Sequence, residues 1–249
     1  MGLLAAGFSA LLAPGHASQD FRAVVASGGW HSCALKRGNG AAACWGADDY
    51  GQSSPPKGRF LALGAGKAHS CGVRPGGRVE CWGSNEHHQS ESPEKEIFAQ
   101  VACGAAHSCA LSQDGEVHCW GSDEHERSSG APVGRFVAIS ASGGHSCALK
   151  ADGTGACWGF NEYNQTDVPD VLFRQLAPGY LHTCGLNLQN ETVCWGQKRG
   201  DNKPPPGRFK QISSRGPFTC ALETSGRAVC WPQAEQRRDG EALQTDQVL

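Results

Sequence analysis

Three residue types recur in this chain at fixed spacing, and each could do chemistry. Histidines 31, 69, 107, 145 and 182 each precede Ser-Cys or Thr-Cys. Imidazoles so repeated could ligate a metal or move protons. The cysteines that follow, Cys33, Cys71, Cys109, Cys147, Cys184 and Cys220, each have a partner ten or eleven residues further on: Cys44, Cys81, Cys119, Cys157, Cys194 and Cys230. Such pairs could close disulfides or hold zinc. Each second cysteine leads into Trp, and the loops behind the first four of those tryptophans carry Asp48-Asp49-Tyr50, Asn85-Glu86, Asp123-Glu124 and Asn161-Glu162-Tyr163. Those loops could serve a cation or a basic partner.

The cysteine spacing separates its two chemistries. Zinc ligand pairs normally stand two to four residues apart. In His107–Gly121 the segment Gln113-Asp114-Gly115 instead reads as the turn of a β-hairpin, with glycine free to take the left-handed backbone. Centring the turn on Asp114 sets Cys109 opposite Cys119 on one face, at a separation a disulfide can bridge. The reading is therefore six hairpins with a covalent clasp each, and Cys103 left over as a buried thiol rather than a nucleophile.

The histidines read as structural. Equivalent positions on successive units cannot converge on one ion, and Phe218 stands where a sixth histidine would be. The tryptophans read as packing between units. In the acidic loops turn chemistry competes with binding, because Asp and Asn cap their own turns. Asp48, Asp49, Tyr50, Asn85, Glu86, Asp123, Glu124, Asn161, Glu162 and Tyr163 are the candidate binding residues, with the tyrosines as anchors. No phosphate loop, nucleophile elbow or zinc-protease helix motif occurs. The sequence predicts no catalytic residue, no metal and no cofactor.

The elements that must position these residues repeat as well. From Cys33 to Cys220 the first cysteines step 38, 38, 38, 37 and 36 residues. A short apolar strand opens each unit at Phe21, Phe60, Phe98, Phe136, Phe173 or Phe209 and runs to a glycine six or seven residues on. Pro-Gly-Arg-Phe-type punctuation separates several units. Units of about 37 residues with short strands cannot bury both sheet faces alone, and stacking them around an axis solves that. The predicted fold is all-β, a β-propeller of six repeats over 20–233, with a polar tail at 234–249. Residues 1–17 read either as a signal peptide or as a degenerate seventh repeat: Gly2–Ala13 is an apolar core with small Gly15 and Ala17 behind it, yet no Lys or Arg precedes Arg22.

The pattern Gly-x-x-His-Ser-Cys-Ala-Leu…Asp-Gly…Cys-Trp-Gly-x-Asn-Glu resembles the repeats of the regulator of chromosome condensation family. It is most similar to the cysteine-paired form in secreted bacterial proteins and in ectodomains of crinkly-type plant receptor kinases. The resemblance spans Phe21–Trp231. It implies a propeller, typically seven-bladed, that serves as a binding platform.

Composition narrows the function further. With 24 acidic and 22 basic residues, well mixed, no basic stripe points to nucleic acid. No segment is long and apolar enough to span a membrane. Thirteen cysteines argue for an oxidising compartment, so the protein is expected to be secreted or extracytoplasmic. The expected function is non-enzymatic binding of a protein or peptide through rim loops. Two alternatives are nucleotide exchange on a small GTPase, as in the founding branch of the family, and lectin-like carbohydrate binding.

Overall fold

The computed structural model describes residues 21–197 and 203–231, with backbone alone for 21–24. The expectations for 1–17 and for the tail at 234–249 lie outside the described residues. Within the described residues, eighteen strands form six antiparallel three-stranded sheets in simple chain order. Blade one holds β1 (Phe21–Ser27), β2 (His31–Lys36) and β3 (Ala42–Gly46). Blade two holds β4 (Ala62–Ala65), β5 (His69–Val73) and β6 (Val79–Gly83), and blade three β7 (Phe98–Cys103), β8 (His107–Ser112) and β9 (Val117–Gly121). Blade four comprises β10 (Ala138–Ser142), β11 (His145–Leu149) and β12 (Gly155–Gly159). Blades five and six comprise β13 (Phe173–Pro178), β14 (His182–Asn187) and β15 (Thr192–Gly196), then β16 (Phe209–Arg215), β17 (Phe218–Glu223) and β18 (Ala228–Trp231).

The first strand of each blade is innermost, and successive blades pack inner strand to inner strand, β1 on β4 through to β13 on β16. The hairpin registers match the sequence expectation: Cys109 faces Cys119, and the equivalent pairs are opposed in the other five blades. All six expected disulfides are formed. One detail differs from expectation. In blades two and four the opening phenylalanine precedes its strand, which begins at Ala62 or Ala138. Like Phe98, Phe173 and Phe209, both are still held by their own N–H groups, which donate to a carbonyl of the previous hairpin, Gly40 for Phe60 and Gly115 for Phe136.

The cores lie between blades rather than inside them. The cluster of Cys33, Leu35, Phe60 and Trp82 joins the clasp of blade one to the phenylalanine and tryptophan of blade two. Four further clusters repeat that arrangement along the chain. Phe60, Phe98, Phe173 and Phe209 are each 0–1% exposed. One blade therefore cannot bury its apolar surface without the next, which is the physical reason for the array.

Candidate functional site

The register settles which loops share a surface. His31 pairs with Gly46 and His69 with Gly83, so the loop between inner and middle strands and the loop after Trp-Gly emerge at one end of each blade. Backbone bonds tie the two loops together, Ala47 N–H to the Trp30 carbonyl and Ser84 N–H to the Ala68 carbonyl. Hairpin tips and linkers lie at the opposite end.

At the first end the histidines form an inter-blade relay. His31 Nε2 lies 2.7 Å from Ser70 Oγ, His69 Nε2 2.9 Å from Ser108 Oγ and His107 Nε2 2.8 Å from Ser146 Oγ. His145 meets Thr183 and His182 meets Thr219, both at 2.8 Å. Successive strand side chains point to opposite faces, so in each His-Ser-Cys triplet the histidine reaches forward to the next blade and the Ser meets the previous blade's histidine. The Ser108 hydroxyl donates to the Gln89 carbonyl at 2.9 Å, so it accepts from His69, whose Nε2 carries the proton. Burial lowers the pKa of His69, His107 and His145 to about 3, and of His31 and His182 to about 4. These imidazoles are neutral and structural, as the sequence suggested.

The loops after Trp-Gly contain residues that the sequence reading missed. Gln52, Gln89 and Gln165 are buried, and the Oε1 of each accepts the N–H two residues before it, from Tyr50, His87 and Tyr163. Their carbonyls accept the indole N–H of the next blade's tryptophan: Trp82 at 2.9 Å, Trp120 at 2.9 Å and Trp195 at 3.0 Å. Each loop thus latches onto the following blade. Arg127 takes the glutamine's place in blade three, with its carbonyl 3.1 Å from Trp158 Nε1. A Gln three or four residues after the acidic pair was the available signal, but polar loop residues rarely announce burial.

The candidate binding residues divide in two. Asp48, Asn85, Asp123 and Asn161 each accept the backbone N–H of the residue five positions on, so they are turn pegs. The bonds from Ser128 and Ser129 hold the Asp123 carboxyl down at about 2. Glu124 accepts from the buried Arg127 guanidinium at 2.8 Å and is also committed to its loop. Asp49, Glu86 and Glu162 are exposed and make no hydrogen bond or ion pair among the described residues. Tyr50 and Tyr163 are exposed beside them, and Tyr163 shares an aromatic cluster with Phe160 and His125.

These residues belong to a polarised molecule. The large aromatics that stand exposed among the described residues, Trp30, Trp45, Tyr50, Tyr163, Tyr180 and Phe218, all sit at the relay end. The exposed aliphatics, among them Leu61, Ile97, Val133 and Leu172, sit at the hairpin-tip end, as do Arg37, Arg59, Arg78 and Arg135. Cys103 is buried, its thiol pushed up to about 12 by that burial. His69, Cys71 and Cys103 lie close together, but Cys71 is bound in its disulfide and His69 in the relay, so the trio is not free to coordinate a metal.

Six such blades, with clasped hairpins and latching loops, define a disulfide-stapled β-propeller whose relay-end loops form a polar, aromatic surface. Four of the blades match the family pattern of the regulator of chromosome condensation (RCC1) repeat, over residues 23–52, 61–89, 98–126 and 136–165, and the strand-to-strand disulfides fit its cysteine-paired variant. The ectodomain of the Physcomitrella patens receptor kinase CR4 is 29% identical with a TM-score of 0.72, covering 81% of this chain and 59% of its own. This chain thus spans about three-fifths of that ectodomain. The CRINKLY ectodomain of the Arabidopsis thaliana receptor kinase ACR4 is 26% identical with a TM-score of 0.69, covering 81% of this chain and 77% of its own. Saccharomyces cerevisiae Prp20p, described with its binding to Gsp1p and histones, is 20% identical with a TM-score of 0.70 over 83% of this chain and 70% of its own, a likeness of fold alone. No curated protein sequence matches.

Proposed function

We propose that this propeller is a non-enzymatic binding module that takes a basic protein or peptide segment on the relay end. The observation that carries the reading is the meeting there of exposed aromatics with the unpaired carboxylates of Asp49, Glu86 and Glu162. Tyrosine supplies contact area at low entropic cost, and a carboxylate ring selects a cationic partner. The five repeated histidines, His31, His69, His107, His145 and His182, are occupied in the relay. Six disulfides and the likeness to receptor ectodomains support an extracytoplasmic setting. That setting weighs against nucleotide exchange on an intracellular GTPase.

The test is to capture partners on the oxidised protein and then to measure affinity with Tyr50→Ala/Tyr163→Ala and with Asp49→Ser/Glu86→Ser/Glu162→Ser. Each set is expected to weaken binding tenfold or more, by about 1.4 kcal/mol or above, with the melting temperature unchanged. Affinity equal to wild type in both sets would move the binding surface elsewhere.

A further inference from the structure

Blade six breaks the repeat at two coupled positions near the axis. In blades one, two, three and five a glycine stands three residues before the relay histidine. A Cβ on Gly28, Gly66, Gly104 or Gly179 would lie 2.1–2.4 Å from that histidine's ring. In blade six Arg215 replaces the glycine and Phe218 the histidine, the two pairing across the Gly216-Pro217 turn. With no imidazole to collide with, the side chain at 215 is free to extend. Blade four shows the same backbone arrangement with a small residue, Ser142 paired with His145.

Arg215 is only partly exposed, and His31, His69 and Cys103 all lie within electrostatic reach of its guanidinium. It therefore extends from the last described blade across the axis toward the first three. Among the described residues its side chain makes no hydrogen bond and no ion pair. Among the described residues the groups facing it carry no charge at neutral pH: His31 and His69 are neutral, and the Cys103 thiol is protonated. Burial lowers Arg215 to about 10, which still leaves it cationic. A half-buried cation without a counter-ion is poorly compensated, and the guanidinium fork matches the two oxygens of a carboxylate. Exposed Trp30 and Tyr180 stand on the loops of blades one and five at this end and exposed Phe218 opens β17 of blade six, ready to cover whatever carries the anion.

We propose that Arg215 is the centre of an anion site at the axis, taking one carboxylate, either from a small molecule or from the chain end of a bound polypeptide. One guanidinium with no second cation among its electrostatic neighbours suits a monoanion better than a phosphate dianion. The site uses none of Tyr50, Tyr163, Asp49, Glu86 or Glu162, so it and the rim reading fail separately.

The experiment follows the Arg215 Nε–H signal by NMR and the melting temperature at constant ionic strength. Chloride is exchanged for acetate, or a short peptide is added with its C-terminus free or amidated. The variants are Arg215→Ser, which copies the Ser142 of blade four, and Arg215→Lys. The Arg215 signal is expected to shift saturably, with acetate stabilising the wild type. In Arg215→Ser the response should weaken about tenfold or more, as expected for losing a charged hydrogen-bonded pair, and Arg215→Lys should fall between. Without anion, Arg215→Ser is expected to melt no lower than wild type. A response to the free-ended peptide alone would assign the carboxylate to a polypeptide; a response to acetate as well would admit small molecules. Equal responses in wild type and Arg215→Ser, or a lower melting temperature for Arg215→Ser with no anion response in either, would overturn the site. Should Arg215→Ser fail to fold, the wild-type signal decides, and the absence of a saturable shift with every probe would refute the proposal.

Discussion

Protonating His107 at Nδ1 would place a hydrogen against Gly104, where that buried nitrogen has no acceptor. His31, His69 and His145 share the condition. Their folded pKa values, about 3 to 4, lie below the ordinary 6.5, so below pH 6.5 the unfolded chain takes up protons that the folded one refuses. Stability is therefore full above about pH 6.5 and falls as pH drops toward 4, each buried histidine adding a slope approaching roughly 1.4 kcal/mol per pH unit. Urea unfolding between pH 7 and pH 4 should show this loss, and His107→Phe, which copies Phe218, should lessen its steepness. A pH-independent midpoint would mean the rings titrate normally. Gly104→Ala tests the same contact from its other side: a methyl would stand 2.1 Å from His107 Cε1. Forcing it in is expected to destabilise by about 2–3 kcal/mol, measured by the same denaturation.

At the scale of the element, each blade is a clasped hairpin with a third strand laid inside it. The clasp belongs to two blades at once, since Cys109 and Cys119 pack with Phe136 and Trp158 of blade four. Replacing both with serine removes a short cross-linked loop, for which about 2–4 kcal/mol is expected. Because the lost sulfurs border a neighbouring tryptophan, fluorescence should redden before the far-ultraviolet signal collapses. Coincident transitions of unchanged midpoint would show that the clasp contributes nothing beyond the hairpin turn. Inner strands add a second device. Gln100 and Gln175 bond through their side-chain amides to the next inner strand, Gln175 to both N–H and carbonyl of Ile212.

Across the whole molecule the loops after Trp-Gly do two jobs. Their buried glutamines lock blade to blade, and their second acidic residues face solvent. Gln89→Ala keeps the carbonyl that holds Trp120 but removes the bonds to His87 and Ser84. The two orphaned partners should lower stability by about 1–3 kcal/mol, and hydrogen exchange should quicken first in the 84–92 loop. Exchange slowing or staying uniform would contradict the latch. Polarity of the ends has its own consequence: binding of a cationic partner to the carboxylate rim should weaken as salt rises from about 0.05 to about 0.5 M. Salt-independent affinity would leave the aromatics alone as the source of recognition.

The sequence by itself determined the blade. Cysteines opposed across a turn of Asp114-Gly115 dictate hairpin register, because side chains alternate with a period of two, and the recurrence of Phe-to-strand and Cys-Trp-Gly dictates an array. Local geometry suffices for both. What lay beyond local geometry was the partner of each polar group in the next blade. His69 and Ser108 are 39 positions apart, as are the other early relay pairs, and Gln89 serves Trp120 from 31 positions away. No sequence period shows whether a loop glutamine points inward, or which member of an acidic pair pegs a turn and which faces water. Stacking decided that: once blades pack through Phe and Trp, every polar atom trapped at the seam must find a partner across it. Arg215 is the exception that stacking left unpaired among the described residues. Its meaning could appear only when the sixth blade had been brought round to face His31, His69 and Cys103 across the axis.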